Sequence, residues 1–264
     1  MVALAQSGGT GVYTGKVAHD TNGTFYKKGM EDEGIAFDVA PADHSDEPTG
    51  SCVVLTTPDA ERTMCTHLGV STSLSKSDIN VDHLKQSKIC YVEGYLWDSE
   101  SPREACYETF AQAKQHGVRT AFTFSDSFLV DRFGDDFKSV VNEHCDILFC
   151  NADEARKFLS HDDLDQCAIE IGKLCELAFI TDGPHGSYVV EAGAAHKVPG
   201  FDVSAIDTNG AGDAFAGGVL YGLTHGMTAT MAAKWGNYFA SQVVSKSGPR
   251  LVAAIGDQVA NVIG

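Results

Sequence analysis

Residues 205–218 read "AIDTNGAGDAFAGG", with the carboxylates Asp207 and Asp213 bracketing a run that is nearly all backbone. A helix opening near Ala211 would leave its first N–H groups unpaired, and their partial positive charge favours an anion. A Cβ would block close approach of that anion, so Gly210 and Gly212, with only the small Ala211 between them, suit phosphate. Asp213 would fall in the first helical turn, where a carboxylate can take the proton of an attacking hydroxyl. The alternative is a glycine-rich helix packed tightly on a sheet, with Asp213 merely stabilising its N-terminus. Two familiar phosphate loops are excluded. No lysine completes a Walker A loop, and a dinucleotide fingerprint would need glycine where Phe215 stands.

The 36 acidic and 19 basic residues give a net charge of −17. Such a field repels phosphate backbones and anionic membranes, so neither nucleic acid nor membrane is expected as a partner. An anionic small ligand would have to be held by backbone dipoles or a metal ion. Eight cysteines occur without C-x-x-C spacing, several in apolar runs, which argues against zinc and for reduced thiols in a cytoplasmic protein. No apolar run approaches the roughly 20 residues of a membrane span.

Between 88 and 181 short apolar runs alternate with amphipathic stretches: "KICYVEG", a helix from Pro102 to Gly117, "VRTAFTFS", helical "DDFKSVVNEH", "DILFC", helical "NADEARKFLS", a helix near 163–175, and "LAFIT". That alternation predicts an α/β fold with a mostly parallel central sheet flanked by helices. Ligands gather at the carboxyl ends of such strands, here the loops beginning near Glu93, Ser125, Asn151 and Thr181. Residues 35–68 differ, since "IAFDVA", "GSCVVLTT" and "ERTMCTHL" read as short β pieces, either a small antiparallel lid or a hairpin pair on the sheet edge. After 187 a hairpin and then largely helical chain are expected. The predicted organisation is 1–34 as the N-terminal part of the core, 35–68 as a small β lid and 69–264 as the main core.

The unbroken D-T-x-G-A-G-D of Asp207–Asp213 resembles the C-terminal signature of the ribokinase-like (PfkB) carbohydrate and nucleoside kinases. The resemblance runs from about residue 11 to 250 and is closest to the adenosine kinase branch. "TGSCVVLTTPDAERTM" resembles that branch's lid strands, "FCNADEARKFL" its N-x-x-E motif, and "ITDGPHGSYVV" its T-x-G-x-x-G nucleotide loop. It implies a three-layer ribokinase-like fold and transfer of phosphate from ATP, with Mg²⁺, to a primary hydroxyl of a nucleoside, adenosine first, or of a sugar. Asp213 would be the general base, and the amides of Gly210, Ala211 and Gly212 would stabilise the moving phosphoryl group. Asn151 and Glu154 would act on Mg²⁺ through its waters, unless they are only an N-cap and its capping-box partner. Thr181, Gly183 and Gly186, with Asn209, would line the ATP phosphates, and Asn237 would lie near the adenine. Without the resemblance, the first three make a glycine turn and Asn237 a solvated helix residue. Tyr95 and Phe128 would contact the acceptor or else be core aromatics. Arg62 would face phosphate or substrate from the lid, or be a solvated hairpin charge. Asp207 and the carbonyls near Gly248 leave a K⁺ site open, and the chain would be a monomer or homodimer.

Relatives open with a further strand, a substrate-binding aspartate and a G-G-x-x-x-N segment. Here "MVALAQSGGTGVYTGKVAHDTNG" resembles the stretch after that segment, with Ala18 in place of a glycine. The expectation is therefore a fragment, or a chain begun at an internal start, in which part of the acceptor pocket is absent. A ribose- or fructose-type sugar kinase and a non-catalytic nucleotide or nucleoside binder are the alternatives.

Overall fold

The computed structural model describes residues 1–42, 47–57 and 62–264, the side chain of Arg62 excepted. Two short helices come first, α1 (Val2–Gln6) and α2 (Thr21–Asp32). An antiparallel ribbon comes next, β1 (Ser51–Thr56) and β2 (Arg62–His67), pairing Ser51 with His67 and Thr56 with Arg62. Then α3 (Val81–Gln86), β3 (Ile89–Glu93), α4 (Glu100–His116), β4 (Arg119–Thr123), α5 (Ser127–His144) and β5 (Ile147–Asn151) alternate. The series continues with α6 (Ala152–Leu159), α7 (Leu164–Ile171), β6 (Leu177–Thr181), β7 (Ser187–Glu191) and β8 (Ala194–Val198). Helices α8 (Ala211–Thr224), α9 (Ala229–Val244) and α10 (Val259–Ile263) close the chain.

The main sheet has the order β3-β4-β5-β6-β7-β8, parallel through β6 and antiparallel beyond. Because side chains alternate along a strand, each strand feeds two cores. Val92, Phe122, Phe124, Leu148, Cys150 and Ile180 pack with α4 to α7. Ala121, Ile147, Phe149, Leu177 and Phe179 pack with α8 and α9. Strands buried on both faces read as continuous apolar runs, which is why they are visible in the sequence. Gly117 ends α4 in the left-handed conformation at φ 67°, as a C-cap glycine does.

Two sequence expectations change. Helix α5 begins at Ser127, well before "DDFKSVVNEH", because Asp126 caps it through the Phe128 N–H, and it is irregular at Phe133 (φ −124°, ψ 20°). "IAFDVA" forms no strand: Ala36 and Ala42 make isolated bridges to Val12 and Ala18. Ile35, Phe37 and Val39 instead bury their side chains with Val17 and Met30, and that apolar contact takes them away from the ribbon. All eight cysteines are free thiols, two of them, Cys52 and Cys65, exposed on the ribbon. Burial pushes Cys90 and Cys175 up to about 12 and raises Cys106, Cys145, Cys150 and Cys167 as well. Among the described residues no helix is long and apolar enough to cross a membrane.

Phe137 is fully buried, with ring centroids 5.1 Å from Phe122, 5.6 Å from Phe124 and 5.7 Å from Trp97. Phe137→Ala should destabilise the fold by about 3–5 kcal/mol, read from urea unfolding, since the neighbouring rings, on β4 and on the segments that follow β3 and β4, cannot collapse into the gap.

Candidate active site

Strand parity decides which residues face α8. Glu93, Thr123, Asn151 and Thr181, the last residues of β3, β4, β5 and β6, share the side of the sheet occupied by Tyr91, Ala121, Phe149 and Phe179, the side on which α8 packs. Register aligns them in two pairs, Glu93 opposite Thr123 and Asn151 opposite Thr181, and because Thr123 is paired with Phe149 the second pair lies two residues further along the sheet. Two stepped polar pairs therefore mark the carboxyl ends of four parallel strands, on the face against which α8 packs.

The loop before α8 is built around Asp207. Its buried carboxylate accepts the Asn209 N–H at 3.0 Å through one oxygen and the Gly248 N–H at 2.9 Å through the other. The Ile206 N–H donates to the Val244 carbonyl at 2.7 Å, fixing the same loop to the end of α9. Gly210 is the N-cap, left-handed at φ 78°, and a Cβ there would stand 2.4 Å from the Pro249 carbonyl oxygen. Only glycine satisfies both constraints.

The glycine run then divides between helix packing and anion binding. A Cβ on Gly218 would meet Gly236 Cα at 2.9 Å, and one on Gly222 would meet Ala232 Cβ at 2.7 Å, so these glycines serve the α8–α9 packing. At Gly212 a Cβ would meet nothing within 4 Å. No protein contact requires that glycine, and it lies exposed beside the exposed Asp213 in the first turn. An anion drawn to first-turn amides would occupy that open space.

Glu93 is marked in the sequence only as the start of a loop, yet it belongs to the site. Its carboxyl is raised from the ordinary 4.5 to about 7, first by burial and then by the negative charge of Asp213, partly opposed by the Met1 amino group. The signal available in the sequence is a carboxylate closing the apolar run "KICYVEG". Burial beside Glu93 likewise raises Tyr13 and Tyr26, and the Asp213 charge also reaches Tyr26. Their rings lie 5.8 Å apart and pack against Phe37, forming an aromatic wall next to the α8 opening. Ser125, two residues after β4, is in the left-handed region at φ 68°, a strained choice for a residue with a Cβ.

Asn151 and Glu154 form a complete capping box on α6. Asn151 Oδ1 accepts the Glu154 N–H at 2.8 Å, Glu154 Oε2 accepts the Asn151 N–H at 3.0 Å, and Asn151 Nδ2 donates to Oε1 at 2.7 Å. Glu154 is raised to about 7, chiefly by burial, with the Asn151 N–H lowering it and Asp126 and Asp153 raising it further. Thr181 leads into the 182–186 turn, where Gly183 and Gly186 are left-handed at φ 53° and 95°. A Cβ on Gly186 would lie 2.2 Å from the Val198 carbonyl oxygen. Tyr95 and Phe128 are both 44% exposed with centroids 6.5 Å apart, so they are surface aromatics brought together from the turn after β3 and the first turn of α5, not core residues. Asn237 is buried in α9, its Nδ2 donating to the Val198 and Pro199 carbonyls at 3.1 and 3.2 Å. It holds backbone that lies against Gly186 of the 182–186 turn and is no solvated helix residue. Arg62 opens β2, but its side chain lies outside the described residues.

Helices on both faces of this sheet, a separate two-stranded ribbon and a glycine-rich helix start over the strand ends define the ribokinase-like class of kinases. The chain belongs to the pfkB family of carbohydrate kinases, whose model matches residues 1–254, which makes it a phosphotransferase with an alcohol group as acceptor. Within the family the similarity runs to the adenosine kinase branch. The crystal structure of adenosine kinase from Sinorhizobium meliloti superposes with a TM-score of 0.95 at 34% identity, covering 98% of this chain and 80% of that one. A probable sugar kinase from Rhizobium etli CFN 42 gives 0.95 at 31%, covering 98% and 79%. Adenosine kinase of Dictyostelium discoideum is 27% identical over 92% of this chain and 75% of its own length.

The raised carboxyl of Glu93 sets a direction for pH. Between about 4.5 and about 7 it keeps its proton in the folded chain and loses it in the unfolded one. Its contribution is therefore full at low pH and is lost as pH rises through about 7. Urea unfolding near pH 5 and near pH 8 should show Glu93→Gln gaining on the wild type by roughly 3 kcal/mol at the higher pH.

Proposed function

We propose that the chain transfers the γ-phosphoryl group of ATP to a primary hydroxyl of a nucleoside, with adenosine the favoured acceptor. The observation that carries this reading is the open space over Gly212 beside an exposed Asp213, on the sheet face that carries the polar pairs Glu93–Thr123 and Asn151–Thr181. Asp213 takes the hydroxyl proton, and the acceptor oxygen bonds to the γ-phosphorus as the bond to the β–γ bridging oxygen breaks, releasing ADP. The Gly210 and Gly212 amides stabilise negative charge on the phosphoryl oxygens, whereas the Ala211 N–H, which donates to the Thr208 carbonyl at 3.2 Å, has to leave that bond to join them. Thr181, Gly183, Gly186 and Asn209 serve the nucleotide phosphates, with Asn237 acting through the backbone it holds. Tyr95 and Phe128 present faces on which an acceptor base stacks, and the ribbon β1–β2 is read as a lid. The likeness to adenosine kinases supports the nucleoside over a simple sugar.

The donor set fits Mg²⁺ held through its waters. Each Glu154 oxygen already accepts one hydrogen bond from Asn151, leaving lone pairs for water donors but an engaged carboxylate for direct ligation. When bound, the ion would neutralise charge on the β- and γ-phosphates. Asp207 gives both oxygens to backbone amides, so its observed task is to shape the loop.

Purified protein with Mg·ATP should release ADP in proportion to added adenosine, with ribose and fructose as weaker acceptors. Asp213→Asn should lower that rate by about 10²–10⁴-fold. Gly212→Ala should leave stability unchanged or slightly raised, as alanine favours helix, while lowering phosphotransfer at least about tenfold. Full activity in Gly212→Ala would remove the phosphate from that helix opening. Tight ATP binding with no acceptor-dependent turnover would favour a binding protein.

A further inference from the structure

Asp20 joins three pieces of chain. Its Oδ1 caps α2 by accepting the Gly23 N–H at 2.7 Å and also accepts the Thr49 hydroxyl at 2.7 Å. Its Oδ2 accepts the Thr49 N–H at 2.8 Å. Thr49 Oγ1, buried in turn, accepts the Ala18 N–H at 2.9 Å. A Cβ on Gly23 would stand 2.2 Å from the Ala18 carbonyl oxygen and 2.8 Å from Thr49 Oγ1, so the D-x-x-G spacing is what lets the threonine in.

Thr49 lies two residues before β1. At that point the two stems of the ribbon touch backbone to backbone. A Cβ on Gly50 would be 2.7 Å from the Leu68 carbonyl oxygen, Gly69 is left-handed at φ 52° against the Pro48 carbonyl, and the Val70 N–H donates to that carbonyl at 2.9 Å. Beyond this root the ribbon is exposed, Val53, Leu55 and Met64 among its apolar side chains. Its direction is therefore set at the root, where Asp20 and Thr49 grip it. The helix that Asp20 caps carries Tyr26, part of the aromatic wall that feels Glu93 and Asp213.

We propose that Asp20 and Thr49 are positioning residues for phosphotransfer: their carboxylate–hydroxyl–amide latch fixes the root of β1–β2 to the N-terminus of α2 and holds the ribbon in register with the aromatic wall beside Asp213. The positioning role rests on the phosphotransfer reading, whereas the latch does not. Thr49→Val keeps the shape and removes the hydroxyl, while Thr49→Ser keeps the hydroxyl. In Thr49→Val, amides of residues 50–56 and 62–68 should exchange with deuterium about tenfold faster while β3–β6 stay protected. The acceptor KM should rise about tenfold with the ATP KM within about twofold, and ADP release without acceptor should increase. Thr49→Ser should restore the wild-type values. A Thr49→Val protein with a lower Tm but wild-type ribbon exchange and acceptor KM would overturn the proposal. If the wild type phosphorylates no acceptor, the positioning role falls with the phosphotransfer reading, and ribbon exchange alone decides the latch.

Discussion

Much of the candidate site depends on one buried carboxylate that holds two backbone amides, one from each of two loops. Asp207 gathers the Asn209 and Gly248 amides, drawing the loop before α8 against the loop after α9. With that loop fixed, Gly210 has no room for a side chain and turns left-handed, and α8 starts directly from that turn, its Ala211 N–H held by the Thr208 carbonyl. A buried carboxylate is tolerable because each oxygen has an amide to accept. Losing one partner would leave a charge out of water in the place where the helix must start.

The sheet supplies the other half of the arrangement. Parallel strands end together on one side of the layer, so residues far apart in sequence line up by register alone. Glu93 and Thr123 are neighbours for that reason, as are Asn151 and Thr181 one step further along. At Asn151 and Glu154 the capping box and the proposed metal role need not compete, since the hydrogen bonds that start α6 would also hold the carboxylate steady for a hydrated ion. The same division appears within α8, where Gly218 and Gly222 belong to packing and Gly212 does not.

Most of the information legible in the sequence is local. The alternation of strands and helices can be read because both faces of the sheet are buried, and Asp207–Asp213 because loop, cap and first turn are contiguous. Glu93 cannot, because nothing local distinguishes a carboxylate that ends a strand in solvent from one facing Asp213. The Tyr13–Tyr26–Phe37 wall depends on tertiary approach of three segments and leaves no spacing to detect. Asn237 misleads for a related reason: its partners are carbonyls at residues 198 and 199, invisible to helical periodicity. "IAFDVA" has the alternation of a strand, but burial of Ile35, Phe37 and Val39 decides its fate.

The distribution of thiols has a practical consequence. Cys52 and Cys65 are exposed on the ribbon, while the other six are wholly or partly withdrawn from water and held protonated by burial. Alkylating reagents attack thiolates, so the two groups should be modified on separate clocks. The first reports how freely reagent reaches the outlying ribbon; the second advances only when the layered body opens. The molecule thus carries an intrinsic chemical stopwatch that separates local loosening from global unfolding without any added label site.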